Sequence, residues 1–216
     1  MAGESGDGPV ATREGIPRPR IQTLTDLIFG LALSIGAIEL LSEKPVNLVG
    51  LAASILGFGW SFTILALVWV RYTRVMSVLP VETGGMIGVN MLLLFLVSIE
   101  PYLYNLITIS FVSLPGQLDS ETTTALYAVD MAAIFLIIAY FTHGLTIEEK
   151  KLIPKELLRS YKLQRNTTVA SSAIFLFSTL PIFWSVAFLG MQTRFILWMC
   201  TFVVWIVRRG LEGRMK

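Results

Sequence analysis

The chain has 216 residues, of which 54% are hydrophobic and only 15% charged, and its mean hydropathy is +0.69. Soluble domains usually carry about 25% charged residues, so this composition indicates a protein built for lipid. The net charge is +2, and no basic stripe or recognition motif predicts a nucleic-acid partner. A single cysteine, Cys200, and a single histidine, His143, exclude an intrachain disulfide framework and metal motifs that need a histidine pair.

Residues 1–19 contain glycine, proline and charged side chains without an apolar core, so we expect a disordered cytosolic tail rather than a signal peptide. Six apolar stretches follow, and all but the short last one approach or exceed the roughly 20 residues that cross a bilayer as a helix. They cover residues 21–41, 46–70, 86–112, 122–142, 167–189 and 195–207. The sequence predicts an all-α integral membrane protein with six transmembrane helices in residues 20–209 and a cytosolic C-terminal tail in residues 210–216.

Lysine and arginine are distributed unevenly between the two sides of these spans. Fifteen of the 17 lie in the N-terminal tail, the second and fourth connections and the C-terminus, whereas Lys44 and Arg194 lie on the other side. Because short cytoplasmic segments are enriched in lysine and arginine, both termini are predicted to be cytoplasmic. The even number of spans agrees with this orientation.

The fourth connection has features of a helix of its own. Thr146 and Glu149 fit a capping box, and Pro154 can open a further helical turn. The apolar residues that would share one face are Leu157, Leu158 and Tyr161. We predict a short interfacial helix on the inner leaflet, with a docking site for a partner as the alternative.

Four acidic residues fall inside the apolar spans: Asp26, Glu39, Glu100 and Asp130. An acidic side chain at membrane depth costs several kcal/mol unless it is paired or hydrated, so each is a candidate for function. The alternative is that each one only joins helices or reaches an interface. If two or more converge near the midplane of one chain, they predict a proton-coupled transporter or a proton leak.

The first span carries an aliphatic stripe among small residues. Leu31, Ile35 and Ile38 follow i, i+4, i+7 spacing and therefore share one helix face, with Ser34 adjoining it. If several copies of this helix met around an axis, the stripe would form stacked apolar constrictions, which can gate a pore by dewetting. Without such an assembly, the stripe is ordinary bundle core.

The same span carries a motif. RIQTLTD at residues 20–26, continued by LIFGLAL and ending at Glu39-Leu40, resembles the first-helix signature of the transmembrane protein 175 family of potassium channels. That signature is Arg, three variable residues, then Phe-Ser-Asp. Stretches from Trp60 to Trp69, from Asn90 to Pro101 and at residues 125–128 are similar to the next three helices in order. The resemblance covers about residues 20–142 and indicates the prokaryotic single-repeat branch of the family.

This resemblance implies a pore lined by the first helix of each repeat. It places the narrowest ring at Leu31, further apolar layers at Ile35 and Ile38, the hydroxyl implicated in ion preference at Ser34, and an acidic pore mouth at Glu39. The implied function is passive conduction of potassium, so we expect a channel and not an enzyme. The permeant ion is then the only ligand, with no cofactor, metal site or small-molecule substrate.

The resemblance also implies a buried polar network that supports the pore helix. Its members would be Arg20, Thr25, Asp26, Trp69, Arg71 and Asn90. Two positions depart from the family pattern: Leu24 replaces the signature aromatic residue, and Thr25 replaces serine. Arg71 stands where many relatives carry a histidine pair. A charge pair between Arg71 and Asp26 would remove the pH dependence that a histidine supplies.

One copy of the signature occurs in the chain, and one helix cannot enclose an axial pore. The channel interpretation therefore needs self-association, most simply as the cyclic homotetramer of single-repeat relatives. We expect the cell membrane as location and lipid as the surrounding partner. The competing interpretation is the proton-coupled transporter or proton leak through the membrane carboxylates, and the geometry of the stripe and of the carboxylates separates the two.

Overall fold

The computed structural model describes residues 20–42, 47–79, 84–110, 119–147, 152–188 and 191–213. Within these ranges the chain is almost entirely helical. The elements are α1 (Arg20–Ser42), α2 (Leu48–Met76), α3 (Gly84–Ser110), α4 (Ser120–Thr146), α5 (Lys155–Ser178), α6 (Ile182–Ser185), β1 (Ala187–Phe188), β2 (Met191–Gln192) and α7 (Thr193–Gly213). The predicted all-α class is confirmed.

Two helix starts are fixed by side-chain caps. The side chain of Asn47 accepts a hydrogen bond of 2.8 Å from the N–H of Gly50 at the start of α2. At the start of α4, Asp119 accepts from the Thr122 hydroxyl at 2.6 Å and from the Thr122 N–H at 3.1 Å. The hydroxyl and then the N–H of Thr122 hold the pKa of Asp119 below its usual value, because both stabilise the ionised carboxylate.

Three of the described helices meet both the length and the hydropathy of a membrane span. They are α2, residues 84–108 of α3, and α4. The apolar part of α1, Gln22–Ile38, is shorter. The total of six spans and the cytoplasmic position of both termini therefore stay predictions.

Helix α4 occupies the middle of the molecule. It packs against α3 and α5, while α5 also packs against α7, and α1 lies against α2 and α3. An aromatic cluster joins α4, α5 and α7: the rings of Tyr127, Phe175 and Trp198 are buried and lie 5.1 to 6.4 Å apart. Because α1 is on the side of the bundle, its outer face stays uncovered in a single chain.

The prediction of a short, separate interfacial helix in the fourth connection is wrong. Lys155–Ser178 forms one continuous helix that runs from the charged segment into the apolar one. Its buried face includes Gln164, Thr168 and Ser172, and the Ser172 hydroxyl donates to the backbone oxygen of Ala132 in α4 at 2.9 Å. Small hydroxyl residues let α5 pack closely against α4. This packing extends along both the charged and the apolar part of α5, which the hydropathy pattern had separated.

Of the two signals predicted for the start of this helix, the capping box is wrong and the proline is confirmed. Thr146 is the last residue of α4 and its hydroxyl donates to the backbone oxygen of His143, so it does not cap a new helix; Glu149 lies outside the described residues. Helix α5 begins directly after Pro154, as expected from a proline at a helix start.

The predicted fifth span, 167–189, ends early at Ser178. Pro181 follows, and a proline cannot continue the hydrogen-bond ladder of the helix before it. The chain instead forms α6 and the antiparallel pair β1–β2, with Phe188 opposite Met191. Helix α7 continues to Gly213, past the boundary predicted at residue 209.

Candidate pore-lining helix

Helix α1 has one face buried against its neighbours. Thr25, Phe29 and Ala32 follow i, i+4, i+7 spacing and are almost fully buried. The ring of Phe29 lies 5.9 Å from the ring of Tyr72 in α2. Gly36 also lies on this side of α1, where an added Cβ would make an ordinary contact with the Phe58 ring of α2 at 3.5 Å. This face fixes the rotation of α1 about its own axis.

The opposite face of α1 is exposed and mostly apolar. Leu27, Leu31 and Ile38 are 68%, 58% and 62% exposed, and Ser34 between them is also exposed. These four residues, here called the exposed row, follow i, i+4, i+7, i+11 spacing and therefore form one line along the helix. A continuous apolar line on a helix side marks a surface that contacts lipid or another protein surface.

The structure separates the predicted pore residues into two groups. Leu31, Ile38 and Ser34 lie in the exposed row, whereas Ile35 is half-buried beside it. Leu27, which sequence reasoning left out, extends the row by one turn; its i, i+4 spacing to Leu31 was the available signal. Glu39 belongs to α1, but its side chain is outside what the structure describes.

Ser34 is held by a local bond. Its hydroxyl donates to the backbone oxygen of Gly30 at 2.8 Å. A serine hydroxyl has one proton and two acceptor lone pairs. Because the proton is directed at Gly30, the lone pairs of the Ser34 oxygen remain available on the exposed side of α1. There the oxygen can accept a hydrogen bond or contact a cation.

Three buried side chains from three helices form a polar triangle: Thr25 in α1, Tyr72 in α2 and Asn90 in α3. The Tyr72 hydroxyl donates to Asn90 Oδ1 at 2.8 Å, and Asn90 Nδ2 donates to Thr25 Oγ1 at 3.3 Å. Thr25 Oγ1 and the Tyr72 hydroxyl are 3.1 Å apart. Each group can thus form a hydrogen bond with the next one, so the triangle joins α1, α2 and α3 in one specific arrangement.

A second set of contacts ties the first turns of α1 to the end of α2. The indole Nε1 of Trp69 donates to Asp26 Oδ1 at 2.9 Å. Gln22 Nε2 donates to the backbone oxygen of Met76 at 2.6 Å. The side chain of Arg20, predicted for the same network, lies outside what the structure describes.

Arg71 does not face α1, so the predicted charge pair between Arg71 and Asp26 is wrong. Its guanidinium lies over the Phe135 ring of α4, 5.4 Å from the ring centroid, on the side of α2 that faces α4 and α7. Tyr72, one residue later, points to the polar triangle instead. Neighbouring residues on a helix are about 100° apart, so only one of them can face α1.

The buried carboxylates do not share a site in the described part of the chain. Glu100 is fully buried and accepts from the Ser61 hydroxyl at 2.9 and 3.1 Å and from the Tyr127 hydroxyl at 3.1 Å. Asp130 is also buried, and its Oδ2 has no hydrogen-bond partner among the described residues. No group of three His, Cys, Asp or Glu side chains in these residues could hold a metal ion.

The fold and this site define a helical membrane protein whose first helix presents an uncovered apolar row. Residues 20–101 match the family described as the endosomal/lysosomal potassium channel TMEM175. The match includes α1, α2 and most of α3, and it confirms the resemblance predicted from the first-helix motif. No curated protein sequence matches the chain significantly.

Two solved structures share the fold of nearly the whole chain. One is described as a lysosomal potassium-selective channel TMEM175 homolog from Chamaesiphon minutus, with 17% identity, a TM-score of 0.58 and coverage of 88% of this chain and 96% of that chain. The other is a variant of the potassium channel MtTMEM175 in complex with a nanobody–MBP fusion protein, with 18% identity, a TM-score of 0.60 and coverage of 97% and 100%. These similarities show that the fold extends beyond α3.

Proposed function

We propose that this protein is a passive potassium-permeable channel whose pore forms when copies of α1 meet around a common axis. The observation that carries this proposal is the exposed row, which lies on the side of α1 opposite its packed face. Leu31 and Ile38 in this row are the apolar rings, and Ser34 places a hydroxyl between them. The proposed activity is conduction, not catalysis, and potassium is the permeant ion of this pore.

The proposed assembly is supported by the geometry of one chain. A single α1 offers one line of side chains, and a closed pore needs several such lines facing each other. A cyclic homotetramer is the simplest arrangement, because rotation about one axis brings identical rows together. Both structural neighbours are described as channels, which supports self-assembly of this chain. We place the assembly in the cell membrane.

Ion preference would come from the chemistry of the row. An apolar ring offers a passing ion no ligands, so the ion must shed part of its water at Leu31 and Ile38. Potassium loses water at a lower cost than sodium does. The Ser34 oxygen, with its proton directed at Gly30, supplies a compensating contact. Ile35, half-buried beside the row, would support the ring from the side, and Glu39 would attract cations at the mouth.

The polar triangle and the Asp26–Trp69 bond would act through α1 rather than on the ion. They hold the buried face of α1 against α2 and α3, so the exposed row keeps its direction. In this proposal Arg20 belongs to the same support. The competing function, proton-coupled transport or a proton leak, needs carboxylates that converge, and Glu100 and Asp130 have separate surroundings.

The test is ion flux through the purified protein in liposomes with a potassium or sodium gradient and a proton-ionophore control. We expect potassium flux that needs no proton gradient and that exceeds sodium flux. Flux that appears only with a proton gradient would contradict the channel and favour the carboxylates. Chemical crosslinking of the same preparation should give a tetramer band.

A further inference from the structure

Four arginines meet at a cavity between the ends of α2 and α7. The cavity has a volume of about 280 Å³, close to the lower end of small-ligand sites at about 300 Å³. Its lining residues include Arg71 and Arg74 from α2 and Arg208, Arg209 and Trp205 from α7. No acidic side chain lines it in the part of the chain that the structure describes.

Two of these arginines are built into the protein rather than extended into solvent. Arg71 and Arg208 are 6% and 4% exposed. Gln164 in α5 holds Arg208, because its Oε1 accepts from Arg208 Nη2 at 3.2 Å. The Phe135 ring holds Arg71 from the other side. Like charges that line one cavity repel one another, so an anion bound there would be favoured by all four arginines.

Arg71 supplies the observation that points to a ligand. Its Nε and Nη1 are buried and have no hydrogen-bond partner among the described residues, although Arg71 lines the cavity. Buried donors are almost always satisfied, and a phosphate group carries several oxygens that can accept from separate donors of one guanidinium. Trp205, under the guanidinium of Arg209 at 5.4 Å, forms one wall.

The surroundings favour an amphipathic anion. Val70 lines the cavity and is exposed, and Val203, Ile206 and Val207 expose apolar side chains along α7. A ligand with a phosphate in the cavity could therefore lay hydrocarbon along α7. The arginines also lie at the end of the bundle that the charge distribution predicts to be cytoplasmic, where anionic lipids are recognised by basic pockets between helices.

We propose that the arginine cavity between α2 and α7 binds the phosphate group of an anionic phospholipid. The proposal does not depend on ion conduction, since the cavity is separate from the exposed row of α1. It adds a defined lipid site to the general contact that any membrane protein has with the bilayer.

The test is thermal unfolding of the full-length protein in detergent with three probes: short-chain phosphatidylglycerol, short-chain phosphatidylcholine and inorganic phosphate. We expect phosphatidylglycerol to raise the unfolding midpoint and phosphatidylcholine to leave it unchanged. In Arg71→Gln the half-saturating concentration of phosphatidylglycerol should rise about fivefold, the usual effect of one basic residue near a lipid surface. Arg159→Gln is the matched control, because Arg159 is exposed on α5 and does not line the cavity.

The other outcomes decide whether the phosphate group belongs to a lipid or is free in solution, and whether the cavity binds an anion at all. An arginine-dependent shift with inorganic phosphate but none with phosphatidylglycerol would overturn the lipid and leave a site for free phosphate. Equal shifts in the parent and Arg71→Gln, or no shift with any probe, would overturn the cavity as a site. If Arg71→Gln fails to fold, Arg74→Gln and Arg209→Gln replace it, because both arginines are exposed at the rim of the cavity. In each variant the half-saturating concentration of phosphatidylglycerol should rise by the same factor of about five.

Discussion

The Tyr72 hydroxyl lies 2.8 Å from Asn90 Oδ1, and this bond joins α2 to α3 directly behind the buried face of α1. Thr25 reaches both partners from α1. All three side chains are buried, so water cannot replace a bond that is lost. The contact therefore determines how firmly the candidate pore helix is held.

Removing the Tyr72 hydroxyl should weaken the bundle. We expect Tyr72→Phe to lower the free energy of unfolding by about 1 kcal/mol, since it leaves Asn90 Oδ1 without its donor in a buried site. Thermal unfolding in detergent measures this. Tyr102→Phe is the control, because Tyr102 on α3 is exposed. Equal unfolding midpoints for the two variants would show that the triangle contributes nothing measurable.

Asp26 and Trp69 should be energetically coupled in the free energy of unfolding. Asp26→Ala and Trp69→Phe each remove one side of the 2.9 Å contact, so a double-mutant cycle should give a coupling of about 0.5 to 2 kcal/mol in unfolding. Asp26→Asn keeps an acceptor oxygen but loses the charge, and we expect it to reduce folding or tetramer yield more than ion selectivity. Normal assembly with altered selectivity would instead place Asp26 in the ion path.

Leu31 should control selectivity if the exposed row lines a pore. We expect Leu31→Ala to widen the constriction and reduce the ratio of potassium to sodium flux about tenfold, which is about 1.4 kcal/mol of discrimination. Liposome flux with each ion measures the ratio. Leu176→Ala is the control, since Leu176 is an exposed leucine on α5, away from α1. If both variants select like the parent, the row does not form the constriction.

The Ser34 hydroxyl should affect ion preference more than total flux. Ser34→Ala removes the oxygen that faces out of the row, and we expect the potassium preference to fall about threefold, the effect of a contact contributing about 0.6 kcal/mol. Thr63→Val is a close control, because Thr63 on α2 is exposed and makes the same type of bond, to Gly59 O at 2.6 Å. A similar change in both variants would assign the effect to the helix backbone.

Glu100 separates the channel from the proton-coupled alternative. Glu100→Gln removes the ionisable carboxyl group but keeps an acceptor oxygen for Ser61 or Tyr127, so we expect the protein to fold with its free energy of unfolding lowered by about 1 kcal/mol. Potassium flux should persist without a proton gradient. Glu121→Gln, at an exposed position of α4, controls for the change in net charge. A proton-driven flux in the parent that disappears only in Glu100→Gln would contradict the channel.

The amino-acid sequence by itself determined which segments are apolar and which residues of α1 are candidates for a pore. Hydropathy indicated the helical class, and the motif at residues 20–26 indicated the family that residues 20–101 match. These features are local, because they depend on residue type and on spacing along one helix.

Only the tertiary structure decided which face of each helix is covered. It placed Leu27 in the exposed row and Ile35 beside it, and it directed Tyr72 to α1 but Arg71 to α4 and α7. It also joined the charged and apolar parts of residues 155–178 into one helix. The reason is that helical periodicity defines relative directions on one helix, whereas the direction that becomes buried depends on packing against its neighbours.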